Sequence, residues 1–209
     1  GRTAKGDGTE MEPIVFRDVY PLYAASDIRG SSEARNRAIQ ADLLEHLDLA
    51  LGVLRSAEGA RSLPILGELA HRMTSHREQI ETGLTTGDEI ALLNFLKSEF
   101  EPLVPLLRGL GPAVGAEMQR YNDALDPAMG TVYRERRDFE QSMAAFNRKV
   151  SLYLDLEEAE AQSMFPHYFN KHQTDGIDYL MYVGASMVEN AEFSELHVRN
   201  LRLWQLMVA

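Results

Sequence analysis

The 209-residue sequence contains no cysteine. This absence excludes disulfide bonds, thiolate metal sites and cysteine nucleophiles. It is also typical of a reducing compartment, and we therefore expect a cytoplasmic protein. No apolar run reaches the roughly 20 residues that span a bilayer, so we expect no membrane partner. The polar, glycine-rich opening GRTAKGDGTE shows no signal-peptide pattern.

Positive charge is scarce as well. The chain has 21 Lys and Arg residues against 32 Asp and Glu residues, which gives a formal net charge of −11. Such a surface repels phosphate backbones, because non-specific binding of nucleic acid depends on cations that displace counterions. We therefore expect no nucleic-acid partner. The hydrophobic fraction of 44% is ordinary for a globular protein.

The two ends of the sequence predict a piece of a longer protein. Residues 1–12 are polar and glycine-rich, so we expect a disordered tag or linker there. The last nine residues, LRLWQLMVA, are apolar, whereas natural chain ends are usually polar. We expect residues 13–209 to form a single helical domain, excised from a longer chain and truncated at its C terminus.

Helical periodicity covers most of the chain. Apolar residues at three- and four-residue spacing predict helices over about 33–57 and 64–84. A third helix is predicted to bend or end near Pro102 and Pro105, and a fourth follows the next glycine-proline turn. Because short connections between amphipathic helices favour antiparallel neighbours, the sequence predicts an all-α fold, an up-and-down helical bundle.

One helix of this bundle is predicted to be long, over about 126–164. Asp126 and Pro127 resemble a helix cap followed by a first-turn proline. Within it, a coiled-coil seam and an ordinary bundle helix are both compatible with the three-four spacing of Val132, Phe139, Met143, Phe146, Val150 and Tyr153.

Two segments fit helical spacing less well. The aromatic and β-branched residues near 14–23 are compatible with a short extended arm, which Pro21 restricts to the edge of a sheet. Residues 177–188 are apolar and aromatic, and their pattern fits a strand as well as a helix.

A metal site is one candidate function of the bundle. His46 and His76 lie on or beside the apolar stripes of the first two helices, at similar distances from the turn between them. Together with Glu99 they would supply ligands for zinc or iron. A hydrogen-bonded core histidine is the simpler alternative, and no Glu-x-x-His motif of di-iron bundles occurs.

The segment FPHYFNKHQTDG, residues 165–176, is a candidate ligand site. It contains His167, Tyr168, Lys171 and Asp175. Histidine, tyrosine and lysine can donate to an anionic ligand, while aromatic rings stack on a base or a flavin. The alternative is a folded connector whose aromatic side chains close one end of the bundle.

The segment SDIRGSS, residues 26–32, is a second polar turn. It places Asp27 and Arg29 before a helix start, a combination that can bind phosphate or carboxylate. A structural pair of Asp27 with Arg29 explains it equally well. The sequence identifies no cofactor, and with neither Gly-x-Ser-x-Gly nor His-Glu-x-x-His present we expect no enzyme.

Two strings, YPLYAASDIRGSSEARNRAIQADL at 20–43 and MFPHYFNKHQTDGIDYLMYVGAS at 164–186, carry a family resemblance. They resemble an uncharacterised helical region of multidomain bacterial signalling proteins that also contain a GAF sensor domain. The resemblance implies a cytoplasmic signalling context and a GAF-type sensor as partner in the same chain. It transfers no catalytic residue.

These observations favour two hypotheses. The first is a non-enzymatic helical module of a bacterial signalling protein, which mediates association or relays the state of a sensor. It predicts an exposed apolar stripe on the long helix, and a homodimer is one expected partner arrangement. The second is a ligand- or metal-binding sensory bundle, which predicts a cleft beside Tyr168 or a filled metal site.

Overall fold

The computed structural model describes residues 18–188 and 192–208. Within them the chain is mostly helical but also contains a small antiparallel sheet, so the all-α prediction was too narrow. The tag or linker predicted at residues 1–12 lies outside the described residues. Among the helices that are described, none has the length and apolarity needed to cross a bilayer.

The chain divides into two compact units, where the sequence predicted a single helical domain. Arg29–Ala145 forms one, which we call the helical unit. Gly1–Ile28 and Phe146–Ala209 form the other, which we call the sheet unit. The division follows from strand pairing, because strands from both ends of the sequence join one sheet.

The helical unit contains α1 to α5. α1 and α2 pack against each other antiparallel, since Asp48 Oδ1 lies 2.7 Å from Arg77 Nε while the earlier Gln40 bonds the later Ile80 carbonyl at 2.6 Å. α1 also packs against α5. The helix bounds are Ser31–Ala60 (α1), Pro64–Thr82 (α2), Asp88–Phe95 (α3), Val104–Leu107 (α4) and Pro112–Ala124 (α5).

Between α3 and α4 the helix is irregular. It widens into a π-helical segment, Leu96–Phe100, and then tightens into a 3₁₀ turn, Glu101–Leu103. Pro102 and Pro105 explain this, because proline has no N–H for the helical ladder and its ring crowds the preceding turn. The stretch corresponds to the predicted bend.

The long helix, α6, begins later than the sequence predicted, at Arg134–Met164 instead of about residue 126. Asp126 is not a helix cap there. Its Oδ1 accepts hydrogen bonds from the N–H groups of Ala128 and Met129, both at 2.9 Å. Gly130, at φ 66°, then lets the chain turn back. The aspartate–proline pair therefore builds a tight turn, and α6 starts after it.

The sheet unit has three antiparallel strands in the order β1-β3-β2. β1 is Val19–Ser26, β2 is Tyr168–Gln173 and β3 is Ile177–Gly184. The predicted extended arm is thus confirmed from Val19 onward. It forms an edge strand, as Pro21 required. Residues 14–17 of the predicted arm lie outside the described residues. The ambiguous segment 177–188 is a strand followed by a 3₁₀ turn.

One face of this sheet forms the core of the unit. Side chains alternate along β3, so every second residue points the same way. These residues pack against α6 and against the last helix, α7, Glu195–Val208. The buried set comprises Leu22, Ile177, Tyr179, Met181 and Val183 from the strands, Leu154, Ala161, Val198, Leu201 and Trp204 from the helices, and Phe165 directly after α6.

Candidate functional site

The part of α6 that lies in the sheet unit has two apolar faces. One face buries Leu154 and Ala161 in the core. On the other, Phe146 is 50% exposed, Tyr153 47% and Leu156 71%. Spacings of seven and three residues place these three side chains on one side of the helix. They give this side of the helix an exposed apolar character.

Charged residues lie between these apolar side chains at helical spacing. Lys149 and Glu160, both exposed, occupy the positions between the apolar side chains, and Met164 follows at the end. We call the set Phe146, Lys149, Tyr153, Leu156, Glu160 and Met164 the α6 stripe. Desolvation and the nearby Glu157 carboxylate raise the pKa of Tyr153, so its phenol is neutral.

The predicted coiled-coil seam overlaps this surface in part. Phe146 and Tyr153 belong to the α6 stripe. Val132 does not, because it precedes α6 and is buried. Sequence reasoning missed Lys149 and Glu160, since a search for apolar spacing passes over charges at the same helical positions.

A second candidate site lies on the face of the sheet that points away from the core. Tyr168 and Tyr182 are opposite each other on β2 and β3, with ring centroids 5.9 Å apart. Together with Val19 and Met187 they line a cleft of about 550 Å³. Two exposed tyrosine rings over an apolar floor can hold a flat, apolar small molecule.

The other residues predicted around Tyr168 point elsewhere. The His167 side chain is buried, with Nδ1 2.8 Å from the Phe165 carbonyl oxygen. The Lys171 ammonium lies 2.5 Å from the Asp155 carboxylate on α6. Alternation along the strand separates them, because neighbouring residues face opposite sides of the sheet. Among the described residues that line the cleft, Tyr168 is the one from the predicted set.

The turn that carries Asp175 lies against the end of β1, next to Asp27. Gly176 approaches the end of β1 so closely that a Cβ atom there would lie 1.7 Å from the Ser26 carbonyl oxygen. This contact brings the β2–β3 turn, with Asp175, against the residue that follows β1. Arg29, the other residue predicted from SDIRGSS, belongs to the helical unit.

His46 is a buried, fully bonded histidine in the helical unit. Its Nδ1 lies 2.9 Å from Thr131 Oγ1 and its Nε2 lies 2.9 Å from the Tyr121 hydroxyl. Burial lowers the pKa of His46 to about 4, so the ring is neutral at pH 7. Both nitrogens are used by protein groups, which is the hydrogen-bonded alternative to a metal ligand.

The other two predicted metal ligands have different partners. His76 packs its ring on Phe95, at a centroid distance of 4.7 Å. Glu99 forms a two-pronged ion pair with Arg72. Within residues 18–188 and 192–208, no three His, Asp or Glu side chains are grouped to hold a metal ion. The geometry therefore gives the predicted metal site no support.

Sequence reasoning also missed Asp42, a buried carboxylate of α1 that caps α6. Its oxygens accept hydrogen bonds from the backbone N–H groups of Arg134, Glu135 and Arg136 at 3.1, 2.8 and 2.9 Å. Three amides at a helix start and the helix dipole both favour this negative charge. The only sequence signal was an acid beside the apolar stripe of α1.

No family model, curated protein or solved structure matches this chain. The resemblance to a GAF-associated region therefore stays a prediction. The α6 stripe and the tyrosine cleft are the two surfaces from which a function can be inferred.

Proposed function

We propose that this chain is a non-enzymatic association module of a bacterial, cytoplasmic signalling protein. It joins partners through the α6 stripe and relays the state of a GAF-type sensor domain in the same chain. The observation that supports association is a set of apolar side chains on one helix face that are each about half exposed or more. They are Phe146, Tyr153 and Leu156. Single exposed apolar residues are ordinary, but several on one helix face mark an interaction surface.

The continuity of α6 supports the relay. α6 spans 31 residues, beginning in the helical unit and continuing into the sheet unit. Its first amides are held by Asp42, and its later turns carry the α6 stripe. A change at the capped end acts on the same hydrogen-bonded helix that presents the interaction surface. We also infer that α1, α2 and α5 form an up-and-down bundle that anchors this end.

Light scattering of the 209-residue chain with two matched variants tests the association. Leu156 and Leu106 are both 71% exposed, but Leu106 lies on α4, in the helical unit, and is not part of the stripe. We expect the unchanged chain to be a dimer, Leu156→Glu to be monomeric and Leu106→Glu to remain dimeric. Burying a leucine contributes about 1.5–3 kcal/mol, so a glutamate there raises the dissociation constant at least about tenfold.

A monomeric unchanged chain, or a dimer that Leu156→Glu leaves intact, would contradict the proposal. Circular dichroism melting of each variant checks that the fold is retained. Because both leucines are exposed within one chain, both variants should keep the folded helical spectrum, and Leu156→Glu should melt lower only by the stability that dimerisation adds.

The tyrosine cleft favours a second function, binding of a flat apolar or aromatic ligand. A thermal-shift screen with flavins, nucleotides and haem tests it, since a ligand at about 100 times its dissociation constant adds about 2.7 kcal/mol of stability. Tyr182→Ala should abolish a hit, whereas Tyr23→Ala, an exposed tyrosine of β1, should preserve it. A hit that survives Tyr182→Ala would place the ligand elsewhere, and no hit across the panel would count against this function.

A further inference from the structure

The α6 stripe has the same order of apolar and charged positions from either end, with the charges reversed. From its N-terminal side the order is Phe146, Lys149, Tyr153, Leu156, Glu160 and Met164. Lys149 and Glu160 are eleven residues apart, which is about three helical turns or about 16 Å along the axis. A base therefore lies near one end of the stripe and an acid near the other, on the same face.

We propose that a second copy of this chain covers the α6 stripe, with the two α6 helices antiparallel and Lys149 of each copy paired with Glu160 of the other. The inference rests on the proposed association through the α6 stripe and names its partner. Lys149 and Glu160 are equally far from the midpoint between Leu154 and Asp155. A twofold axis at that midpoint therefore forms both ion pairs at once.

The same axis also pairs the apolar side chains. Tyr153 and Leu156 are equally far from the midpoint, so Tyr153 of one copy lies opposite Leu156 of the other. Phe146 of one copy comes close to Met164 of the other, one residue from perfect register. The interface thus has an apolar centre, one ion pair on either side of it and an apolar contact beyond each ion pair.

The two charges are available for such pairing. Both side chains are exposed, and neither forms an ion pair within the part of the chain that the structure describes. By contrast, Asp155 on another side of the helix is already paired with Lys171, at 2.5 Å. Glu157 borders the stripe and is the hydrogen-bond partner of Tyr153. Lys149 and Glu160 remain as the charges that a partner helix would meet.

The charge pattern selects this arrangement over two others. In a parallel pair each Lys149 would face the other Lys149 and each Glu160 the other Glu160, so like charges would repel. α7 also exposes apolar residues, but its stripe positions Leu196, Arg199, Leu203 and Leu206 hold a base and no acid. In a pair of antiparallel α6 helices, each Lys149 meets a Glu160, so both the positive and the negative charges are paired.

Charge reversal of the two positions tests the inference by sedimentation equilibrium of the full 209-residue chain. Lys149→Glu alone and Glu160→Lys alone each turn two attractive pairs into two repulsive ones. We expect each to raise the dimer dissociation constant about tenfold at low salt. The double variant Lys149→Glu with Glu160→Lys restores both pairs and should return the constant to within about threefold of the original.

An equimolar mixture of the two single variants supplies an independent readout. In a mixed antiparallel dimer one chain carries Lys149→Glu and the other carries Glu160→Lys, and both of the resulting pairs are attractive. We therefore expect mixed dimers to exceed either self-dimer. Salt provides a further check: raising NaCl from about 50 mM to about 500 mM should weaken the unchanged dimer and strengthen the single variants.

The outcomes separate this inference from the proposed function. A dimer that Leu156→Glu dissociates but that neither charge reversal weakens would keep the association and overturn the antiparallel pairing. A double variant as weak as the singles would overturn it too. A monomeric unchanged chain would overturn both. Each variant is first melted by circular dichroism, and these exposed substitutions should leave the fold intact.

Discussion

The buried histidines of the two compact units differ in their hydrogen bonding. His46, in the helical unit, has a partner on each ring nitrogen, from Thr131 and Tyr121. His167, in the sheet unit, uses Nδ1 on a backbone carbonyl, while its buried Nε2 has no hydrogen bond among the described residues and lies 3.9 Å from Glu158. Nε1 of Trp204, in the same unit, also lacks a partner there. The helical unit is the better satisfied of the two.

The two units also differ in how their exposed apolar residues are distributed. In the helical unit they are scattered over separate elements, with Ile65 on α2, Ile90 on α3 and Leu106 on α4. In the sheet unit, Phe146, Tyr153 and Leu156 share one face of α6, and further exposed apolar side chains lie on the outer face of the sheet and on α7. The exposed apolar residues named for the helical unit lie on separate elements, whereas the sheet unit presents several on one helix face. We therefore place the partner on the sheet unit.

Among the substitutions that test the difference between the two units, we expect Asp42→Ala to have the largest effect on the free energy of unfolding. The substitution leaves the first amides of α6 without their acceptor inside the helical unit. Hydrogen bonds to a charged group contribute about 1.5–3 kcal/mol each, though not additively, so we expect a loss of about 3 kcal/mol or more. Urea denaturation followed by circular dichroism measures it.

Asp48→Ala is the matched control for that loss. Asp48 also lies on α1, but it is exposed and pairs with the partly exposed guanidinium of Arg77. Exposed ion pairs contribute about 0–1 kcal/mol. Equal losses for the two aspartates would show that the buried cap does not hold α6.

The next effect is the pH dependence that His46 confers on the helical unit. Its pKa is about 4 in the folded protein and about 6.5 when unfolded, so the unfolded chain binds the extra proton between these values. The stability from neutral His46 is fully present above pH 6.5 and is lost as pH falls toward 4. The full difference corresponds to about 3 kcal/mol.

His46→Gln separates this contribution from the carboxylates that titrate in the same range. Glutamine can still bond one neighbour but does not ionise, so its stability should fall less between about pH 7 and about pH 4.5. Urea titrations of both proteins at the two pH values give the comparison. Parallel losses in the two proteins would mean that the buried ring is not the titrating group.

Local signals in the sequence predicted several elements of both units well. Pro64 marked the start of α2, and apolar spacing gave the extents of α1 and α2 to within a few residues. Pro21 correctly confined β1 to an edge. These predictions succeeded because prolines and apolar spacing act within a few residues of the place they specify.

Pairings between distant parts of the chain could not be predicted from the sequence. β2, YFNKHQ, is polar enough to be taken for a connector, and its strand depends on pairing with β3. The start of α6 depends on Asp42, a residue of α1. Apolar spacing identified Phe146 and Tyr153, two of the six residues of the α6 stripe, whereas Lys149 and Glu160 became meaningful only once the exposed face of the helix was known.

The two buried histidines can be compared directly by substituting each with asparagine, in His46→Asn and His167→Asn. We expect the difference in stability between these variants to be the smallest of the effects considered. An asparagine amide can replace an Nδ1 hydrogen bond but does not reach the position of Nε2. At His46 this leaves the buried Tyr121 hydroxyl unpaired, whereas at His167 it removes a nitrogen that already lacked a partner. Both changes delete similar ring volume, so the cavity costs largely cancel in the comparison. We expect His46→Asn to cost about 1–2 kcal/mol more.

The sheet unit can be followed separately in this experiment. Trp204 is the only tryptophan and lies in the core of the sheet unit, so its fluorescence reports that unit, while circular dichroism follows the helices of both units. His46→Asn should shift the dichroism transition, and His167→Asn should shift the fluorescence transition less. If His167→Asn is the more damaging change, Nε2 has a partner in solution. The sheet unit would then be as well satisfied as the helical unit, and the contrast between them would rest on the α6 stripe alone.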